Sequence, residues 1–370
     1  MKILYVTTVG ITMRFFKQFI KTLLDEGHTV DIATNETEYK IPDCYREWQC
    51  SVHHIDTARS PLSNGNLTAI KQIKKLVEAE KYDIVHCHTP IAALCTRFAC
   101  RNVRKQGTKV FYTAHGFHFY KGAPKKNWLI YYPIEKICSY FTDTLITINT
   151  EDYELAKKKM KAKRVECIPG VGIDIGKFNG MGIDKVKKRC ELGIPENATL
   201  LLSVGELNEN KNHETVIRAI KDMDVYYIIA GTGELQDKLQ GLINELGMSN
   251  RVKLFGYRND VAELCKASDI FVFPSFREGL PVSVMEAMAS GLPVICSEIR
   301  GNTDLIKNGD GGFLCKAGDI NGFAEKIREL SENHELRKRM QEANLKNIKM
   351  FDAANVNEKM KMIYEEVLYE

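Results

Sequence analysis

The sequence predicts an α/β protein made of two doubly wound domains, each built on a mostly parallel β-sheet. Short apolar runs alternate with amphipathic segments from the first residues onward, which is the pattern of successive strand–helix–strand units. The pattern starts again after residue 198. Between the two series, residues 168–182 hold five glycines and one proline, which is typical of a linker. A chain of 370 residues is long enough for two domains of ordinary size.

The first series begins with a strand at residues 2–6, followed by an amphipathic helix at 14–25 that Gly27 ends. Further strands of this series are predicted at residues 29–33, 83–86, 109–113 and 144–148. The second series contains the strand-like runs TLLLSV, VYYIIA, RVKLF, DIFVF and PVICS. The tail from residue 319 is helical, with its last pattern at 352–369. We therefore predict domains at residues 1–170 and 171–350 and a C-terminal helix at 351–370.

The composition excludes several classes of protein. With 44% hydrophobic and 27% charged residues, the chain is neither disordered, nor collagen-like, nor a small disulfide scaffold. No apolar run reaches the ~18 residues that a membrane-spanning helix needs. The N-terminal apolar run is too short for a signal peptide, so we expect a cytoplasmic protein. The eleven cysteines form no CxxC pair and no zinc-ligand spacing, so we expect free thiols and no metal.

The two halves of the chain differ in charge. Residues 1–180 contain 27 Lys and Arg against 18 Asp and Glu, which gives +9, whereas the remainder carries −5. A basic first half predicts that this part of the molecule faces an anionic ligand or surface. A membrane surface fits this charge, whereas the overall pI near 8.3 gives only weak support for nucleic acid.

Four successive strands of the second series end in polar loops that contain glycine, at residues 205–211, 231–234, 256–260 and 274–280. In open α/β sheets, ligands bind beyond the carboxyl ends of the strands. Glycines such as Gly205 and Gly231 let backbone amides approach a phosphate closely. Each loop alone is equally compatible with a plain turn, but four at one sheet edge favour a nucleotide-phosphate site.

The segment 278–291 is the most specific part of the sequence. Pro281 suits the first turn of a helix and Gly291 suits its end, which predicts a helix at about 281–290. Glu278 then lies in the loop before the helix, and Glu286 lies within it. Two carboxylates so placed can bind different parts of one ligand, a sugar and a ribose diol. The alternative, that Glu286 belongs to a solvated helix face, is disfavoured because its neighbours are apolar.

The run EGLPVSVMEAMASGLPVI, in which seven residues separate Glu278 from Glu286, resembles the signature of the family 4 retaining glycosyltransferases. SVGELNENKNH, TAHGFHFYKG and DIVHCHTP resemble segments of its capsule and exopolysaccharide members. The resemblance covers essentially the whole chain. It implies a GT-B fold, with two Rossmann-like domains facing a cleft and a C-terminal helix that returns to the first domain. It also implies that no metal or other cofactor is required.

The resemblance assigns roles around the E-x7-E run. Glu278 matches the glutamate that binds the donor sugar hydroxyls, and Glu286 matches the one that binds the ribose. The backbone at Gly279 and Leu280 matches the segment that faces the sugar-phosphate. The loop at Tyr257 and Arg258 would hold the base.

Lys211 matches the family lysine that neutralises the diphosphate leaving group, where negative charge develops. This sequence departs from the family pattern at Glu206, because many members carry arginine five residues before that lysine. A glutamate cannot assist departure of a diphosphate. Lys211 and backbone amides must therefore bear more of that role, or another basic residue such as Lys253 or Arg258 replaces the arginine.

In the first domain, Gly10 matches the family's loop glycine near the donor phosphate or the acceptor, although Val9 replaces the second glycine of the usual pair. The absence of G-x-G-x-x-G at this turn argues against a nicotinamide enzyme. His115 matches the histidine that contacts the donor sugar, whereas by itself it is equally compatible with a loop histidine. His118 has weaker support. We interpret His86 or His88 as a residue that caps the end of a strand.

Residues 119–141 combine aromatic residues with lysines at positions 121, 125, 126 and 136. Aromatic residues and lysines on an amphipathic helix are typical of contact with a membrane surface. The alternative is a helix whose aromatic residues pack on the sheet and whose lysines are solvated. The basic first half and a lipid-linked acceptor favour surface docking, and both interpretations stay open.

We expect a metal-independent, retaining glycosyltransferase of capsule, exopolysaccharide or related surface-glycan synthesis. Its donor would be a nucleotide-diphospho-sugar, with UDP favoured by the resemblance, and its acceptor a lipid-linked saccharide. The partners would be these two substrates and an anionic membrane surface, and no nucleic acid. An alternative is a nucleotide-sugar 2-epimerase of the same fold, which would want catalytic carboxylates in the first domain. A periplasmic-type binding protein is a third class, against which the absence of a signal peptide counts.

Overall fold

The computed structural model describes residues 1–58, 60, 63–179 and 182–368. It divides into two compact units, one formed by residues 1–171 together with the chain from Ala354 onward and the other by Gly172–Ala353. The division therefore falls within the glycine-rich segment 168–182. Residues 180 and 181 of that segment lie outside the described part, as do residues 369 and 370 at the end of the predicted C-terminal helix.

The first unit contains a seven-stranded parallel sheet in the order β3-β2-β1-β4-β5-β6-β7. Its strands are β1 (Lys2–Val6), β2 (Thr29–Thr34), β3 (Val52–His54), β4 (Ile84–His88), β5 (Lys109–Ala114), β6 (Thr144–Thr147) and β7 (Arg164–Cys167). Its helices before the division are α1 (Lys17–Asp25), α2 (Cys44–Glu47), α3 (Gly65–Glu80), α4 (Pro90–Ala99), α5 (Lys125–Ser139) and α6 (Thr150–Lys159). The strand order reverses between β1 and β4, where Tyr5 pairs with Ile32 on one side and His86 on the other.

The helix predicted at 14–25 begins later than expected. Gly10–Phe15 forms a 3₁₀ helix, and α1 starts at Lys17. The tighter turn buries Met13, whose carbonyl accepts a hydrogen bond from the buried Tyr45 hydroxyl at 2.7 Å. A contact with a residue so distant in sequence is invisible to a periodicity argument.

The second unit contains a six-stranded parallel sheet in the order β10-β9-β8-β11-β12-β13. Its strands are β8 (Thr199–Val204), β9 (Val225–Ala230), β10 (Val252–Leu254), β11 (Ile270–Phe273), β12 (Val294–Ser297) and β13 (Gly312–Cys315). Its helices are α7 (Ile175–Asn179), α8 (Lys185–Leu192), α9 (His213–Ala219), α10 (Gln236–Glu245), α11 (Val261–Ala267), α12 (Val282–Ala289), α13 (Asn302–Leu305), α14 (Ile320–Glu332) and α15 (His334–Asn347). The reversal point lies between β8 and β11.

The last helix, α16 (Ala353–Leu368), belongs to the first unit, as predicted. Its Tyr364 is fully buried, and the hydroxyl lies 3.0 Å from that of Tyr5 on β1. Arg164 on β7 forms an ion pair with Glu366 at 2.6 Å. The helix is therefore attached to the first sheet both by its buried face and at its edge.

Each sheet is covered by helices that bury an apolar core. All eleven cysteines are free thiols, and eight of them are buried. In the part of the chain that the structure describes, no helix is both long and apolar enough to cross a membrane. The same residues contain no group of three or more His, Cys, Asp or Glu side chains that could hold a metal ion.

Candidate functional site

In the second unit, the loops after β8 and β11 are joined to each other by hydrogen bonds. The Asn210 side-chain amide donates to the Arg277 carbonyl at 2.9 Å, and the Phe276 amide donates to the Asn210 carbonyl at 2.8 Å. The Asn212 side chain donates to the Pro274 carbonyl at 3.1 Å. These bonds hold the two loops together at the point where the strand order reverses, which is where such sheets bind ligands.

Lys211 and Glu278, predicted from separate parts of the sequence, form an ion pair between these two loops. The Lys211 Nζ lies 2.7 Å from the Glu278 Oε1, and the two side chains are 19% and 12% exposed. The Lys211 Nζ also lies 4.7 Å from the centroid of the Phe273 ring. A charge-assisted bond in such a sheltered place fixes the orientation of both side chains.

The amides of Gly205 and Gly231 have a different role from the one predicted. The Gly205 amide donates to the Ala230 carbonyl and the Gly231 amide to the Gly256 carbonyl, at 3.0 and 2.8 Å. A Cβ atom at Gly231 would lie 1.8 Å from the Gly205 carbonyl oxygen. These two amides therefore do not point to a phosphate, and the placing of Gly205 and Gly231 in the donor site stays a prediction. Glycine is needed here because the two loops pack backbone against backbone.

The amides of Gly279 and Leu280 are placed differently. Neither N–H donates a hydrogen bond to any of the described residues, and both immediately precede α12. Pro281 is the N-cap of α12 in an extended conformation, so the helix starts one residue later than predicted. The first N–H groups of a helix and its dipole attract anions. Two free amides therefore stand beside the Lys211–Glu278 pair.

Helix α12 carries Glu286 between the buried residues Met285 and Ala287, and Glu286 itself is half-buried. Burial, with a smaller contribution from the Glu286 carboxylate, raises the pKa of the Cys265 thiol to about 12. The charge of Glu286 therefore acts on the buried Cys265 thiol inside the unit. The predicted ribose contact of this residue stays a prediction.

The loop after β10 presents Tyr257, whose side chain is 69% exposed. Arg258 next to it forms a forked pair with Asp260, at 2.8 and 2.5 Å, and this arginine holds the pKa of Asp260 far below its usual value. Lys253 donates to the carbonyls of Leu192 and Gly193 at 3.1 and 3.3 Å. Both cations suggested as substitutes for the family arginine are therefore engaged elsewhere.

Sequence reasoning missed Arg300, which follows β12 at the same edge of the sheet. Its side chain is buried, and its Nε donates to the Glu278 carbonyl at 3.1 Å. The exposed Glu206, where the arginine was expected, accepts a bond from the Asn208 side chain at 2.8 Å instead. The rule that selected the other strand ends would have found Arg300 had it been applied to the strand PVICS.

In the first unit, His115 follows β5 and lies against histidines of β4. Its Nε2 is 3.2 Å from the Nδ1 of His88, and burial lowers the pKa of His115 to about 4. His86 and His88 are both buried in β4. His88 is the last residue of the strand, which agrees with the strand-end interpretation, whereas His86 lies inside the strand. The His86 Nε2 lies 2.7 Å from the Thr113 hydroxyl, and burial lowers the pKa of His86 to about 3.

A cavity of about 220 Å³ opens at the carboxyl edge of the first sheet. It is lined by Thr8, Val9, Thr89, Pro90, Ile91, His118 and Tyr131. The Thr8 and Thr89 hydroxyls are 2.6 Å apart, and His118 stacks on the Tyr131 ring with centroids 4.5 Å apart. Thr89 has φ of 65°, a strained value for a β-branched residue. The sequence analysis singled out His118 and the loop of Val9 but did not predict the cavity that they line.

Gly10 lies next to the cavity-lining Val9 but serves packing. Its amide donates to the Asn35 carbonyl at 3.0 Å, and a Cβ atom there would lie 2.4 Å from the Tyr39 carbonyl oxygen. The Gly10 amide is therefore engaged within the unit. Any contact of this loop with the donor or acceptor substrate must therefore come from atoms other than the Gly10 amide.

Helix α5 divides the residues predicted for a membrane surface between two faces. Trp128, Tyr131 and Tyr132 pack against the core of the unit, with the buried Phe119 against Trp128 and Tyr132. Of the two interpretations left open by the sequence, packing of the aromatic residues on the sheet is the one found for these side chains, and surface contact is wrong for them. The outer face is instead aliphatic for most of its length, and its exposed large residues are Leu129, Ile130, Ile137 and Tyr140.

Comparison with known proteins places the chain in a family. The model of glycosyl transferases group 1 matches residues 184–347, and that of glycosyl transferase 4-like domains matches residues 2–149. EpsD of Bacillus subtilis, named as a glycosyltransferase, is 38% identical over 98% of this chain and 96% of its own length. An Escherichia coli enzyme, UDP-Gal:alpha-D-GlcNAc-diphosphoundecaprenol alpha-1,3-galactosyltransferase, is 32% identical over 81% of each chain.

Among solved structures, Anabaena Alr3699/HepE in complex with UDP and glucose aligns with a TM-score of 0.82 at 21% identity. The alignment covers 99% of this chain and all of that one, so the two share a fold. The fold expectation of two Rossmann-like domains is confirmed. The matches to both halves and the full-length similarity to EpsD show that this chain belongs to the group 1 glycosyltransferases, with a glycosyl transferase 4-like domain first.

Proposed function

We propose that this glycosyltransferase moves a sugar from a UDP-sugar to a lipid-linked saccharide, with retention of the anomeric configuration, in the synthesis of a surface glycan. The observation that carries the donor assignment is the Lys211–Glu278 pair beside the free amides of Gly279 and Leu280. The name of the Escherichia coli relative supports the substrate classes, since it includes UDP-Gal and a diphosphoundecaprenol-linked acceptor. Retention rests on the resemblance of the E-x7-E run.

The donor site works by charge stabilisation. The bond between the sugar C1 and the diphosphate oxygen breaks, and its electron pair stays on the diphosphate. The acceptor oxygen bonds to C1 on the same face, and its proton passes to the departing diphosphate. The Lys211 ammonium and the amides of Gly279 and Leu280 stabilise the developing charge. The second oxygen of Glu278 accepts a hydrogen bond from a donor sugar hydroxyl, and Glu286 binds the ribose diol. No metal or cofactor takes part.

The base and the sugar are held by neutral contacts. The exposed ring of Tyr257 offers a face on which a uracil base stacks. His115 is uncharged at neutral pH because burial lowers its pKa to about 4, so its imidazole hydrogen-bonds a sugar hydroxyl without adding a charge. In this assignment, the positively charged Lys211 contacts the diphosphate, and neutral groups contact the base and the sugar.

The acceptor side is assigned to the first unit. The cavity between Thr8, Thr89 and Tyr131 offers hydroxyl groups and an aromatic face, which suit a saccharide. Helix α5 contributes Tyr131 to the cavity and exposes Leu129 and Ile137 on its outer face. Lysines flank this face, so it docks on an anionic bilayer. The enzyme then meets the headgroup of its acceptor at the membrane surface.

The experiment that tests the function is a transfer assay with defined substrates. The chain is incubated with UDP-galactose, UDP-N-acetylglucosamine, GDP-mannose or ADP-glucose, with and without a short polyprenyl-diphospho-N-acetylglucosamine. We expect UDP release that requires the acceptor, and a product whose new linkage is α by NMR. Conversion of a UDP-sugar to its 2-epimer without acceptor would instead support the epimerase, and a β linkage would overturn retention.

A further inference from the structure

The proposed donor loops of the second unit carry too little positive charge to bind a diphosphate. The ammonium of Lys211 is already paired with the Glu278 carboxylate. Glu206 adds a second carboxylate at the position where the family resemblance leads to arginine. Glu206 is exposed, so solvent screens its charge, but it supplies no positive charge here. The sheltered Lys211–Glu278 pair is neutral overall, which leaves the negative charge of a diphosphate unbalanced, so we expect a further cation beside it.

Two nearby cations are held by partners away from the Glu278 loop. Arg258 binds both oxygens of Asp260, and the Lys253 ammonium donates to the carbonyl oxygens of Leu192 and Gly193. Moving either side chain to the diphosphate would break these bonds. Arg277 lies on the correct loop, but its side chain is exposed, and solvent screens the charge of such a group.

Arg300 packs against the loop that carries Glu278. Its side chain is only 7% exposed, and its Nε donates to the carbonyl of Glu278, the residue whose carboxylate holds Lys211. The next residue, Gly301, has φ of 82°, and a Cβ atom there would lie 2.4 Å from the Gly279 carbonyl oxygen. The Arg300–Gly301 segment thus packs directly on the Glu278–Gly279 segment, next to the free amides.

We propose that Arg300 is the second cation of the donor site and contacts the diphosphate through its guanidinium group. An arginine is always charged, and its planar fork matches the oxygens of a phosphate. In this sequence, Arg300 takes the role of the arginine that other members of the family carry at the position matched by Glu206. As the C1–oxygen bond breaks and the electron pair remains on the diphosphate, Arg300 and Lys211 share the charge that develops. This assignment rests on the proposed function, because it requires a nucleoside diphosphate at this sheet edge.

The test compares the binding of UDP and UMP by isothermal titration calorimetry. Arg300→Gln should weaken the binding of UDP by at least about tenfold more than the binding of UMP. UMP lacks the outer phosphate, so the loss of a cation that contacts this phosphate affects only UDP. Arg300→Lys should lose less than Arg300→Gln. Adding Glu206→Arg to Arg300→Gln should restore the preference for UDP. Arg277→Gln, the control on the same loop, should behave like the wild type.

Equal weakening of UDP and UMP by Arg300→Gln would overturn the proposal, since it would show that Arg300 only supports the loop. A selective loss of UDP in Arg277→Gln would overturn it as well, by identifying the rival cation. If the wild-type chain bound neither nucleotide, the UDP donor of the proposed function would fail, and this assignment would fail with it. Thermal unfolding of each variant separates a binding defect from misfolding, and Arg300→Lys keeps the test decisive if Arg300→Gln does not fold.

Discussion

The carboxyl edges of the two sheets carry different kinds of side chain. At the edge of the second sheet, charged groups meet in an ion pair between Lys211 and Glu278. At the edge of the first, His86 and His115 are kept neutral by burial, and threonine hydroxyls line a cavity. One edge is suited to an anionic ligand and the other to a neutral, hydroxyl-rich one. We infer that the donor nucleotide belongs to the second unit and the acceptor saccharide to the first.

The largest effect is expected from removing the cation of the second edge. Lys211→Ala should lower kcat by roughly 10²–10³, the loss seen when one donor to a developing oxyanion is removed. Lys253→Ala is the matched control, because this lysine is bound to backbone carbonyls away from the loop pair. Turnover is measured as UDP release with the lipid-linked acceptor. Near-normal kcat in Lys211→Ala would mean that other groups stabilise the leaving diphosphate.

The second prediction concerns the ribose contact. Glu286→Gln should raise the donor KM by about tenfold, since a neutral amide accepts hydroxyl hydrogen bonds more weakly than a carboxylate. The two side chains are nearly the same size, so the fold should be retained. Glu245→Gln, an exposed glutamate on α10, serves as the control. An unchanged donor KM in Glu286→Gln would remove this residue from the site.

The strand-end rule located Lys211 and Glu278 in the sequence, because parallel strands bring their following loops to one edge. It did not predict that the two residues pair. That pairing depends on Asn210 and Asn212, which join the loops through backbone carbonyls. Side-chain bonds to backbone atoms of a distant loop leave no pattern in a single sequence.

The glycines show where the sequence argument was incomplete. A glycine in a strand-end loop is equally compatible with a phosphate contact and with close backbone packing, and at Gly231 the packing explanation holds. The strands β3, β7 and β13 were not predicted, whereas the equally short β6 and β11 were. Strands β6 and β11 lie in largely apolar runs, but VHH and RVEC, the sequences of β3 and β7, contain too few apolar residues to indicate a strand. For α5, the sequence showed that aromatic residues and lysines occur together. It did not show that Trp128 lies on the side packed against the core and Leu129 on the exposed side.

The third prediction tests the outer face of the first unit. Leu129→Glu combined with Ile137→Glu should reduce binding to vesicles of phosphatidylglycerol and phosphatidylcholine several-fold, because the helix loses apolar contact and gains repelling charge. The control is Leu67→Glu, at a leucine that is 63% exposed on α3. Replacing Lys121, Lys125, Lys126 and Lys136 with glutamine should lower the same binding and its salt dependence. Vesicle binding equal to that of the Leu67→Glu control would contradict docking by α5.

The smallest expected effect is a difference in acid sensitivity between the two units. Burial lowers the pKa of His86 to about 3 and of His115 to about 4, below the usual value near 6.5. The unfolded chain therefore binds more protons than the native one between these values. The stability that the neutral rings contribute is fully present above pH about 6.5 and is lost as the pH falls toward 4.

This loss should be greater in the first unit, which also buries His88, than in the second, where His213 is buried. Hydrogen exchange of peptides from β4 and β8 at pH 7 and pH 4.5, corrected for intrinsic rates, measures the difference. His86→Gln, which cannot titrate, should reduce the effect in β4. Equal acid destabilisation of both peptides would contradict the assignment of a neutral histidine cluster to the first unit.

The most direct test of the division of roles is hydrogen–deuterium exchange of the whole chain with saturating UDP. We predict the strongest slowing at residues 276–283 and 205–211, because the amides of Gly279 and Leu280 are free in the described structure and a phosphate would occupy them. Peptides around the cavity, at residues 89–92, should change less. Protection that is strongest at the cavity, with none at Gly279 and Leu280, would contradict the assignment of the donor nucleotide to the second unit.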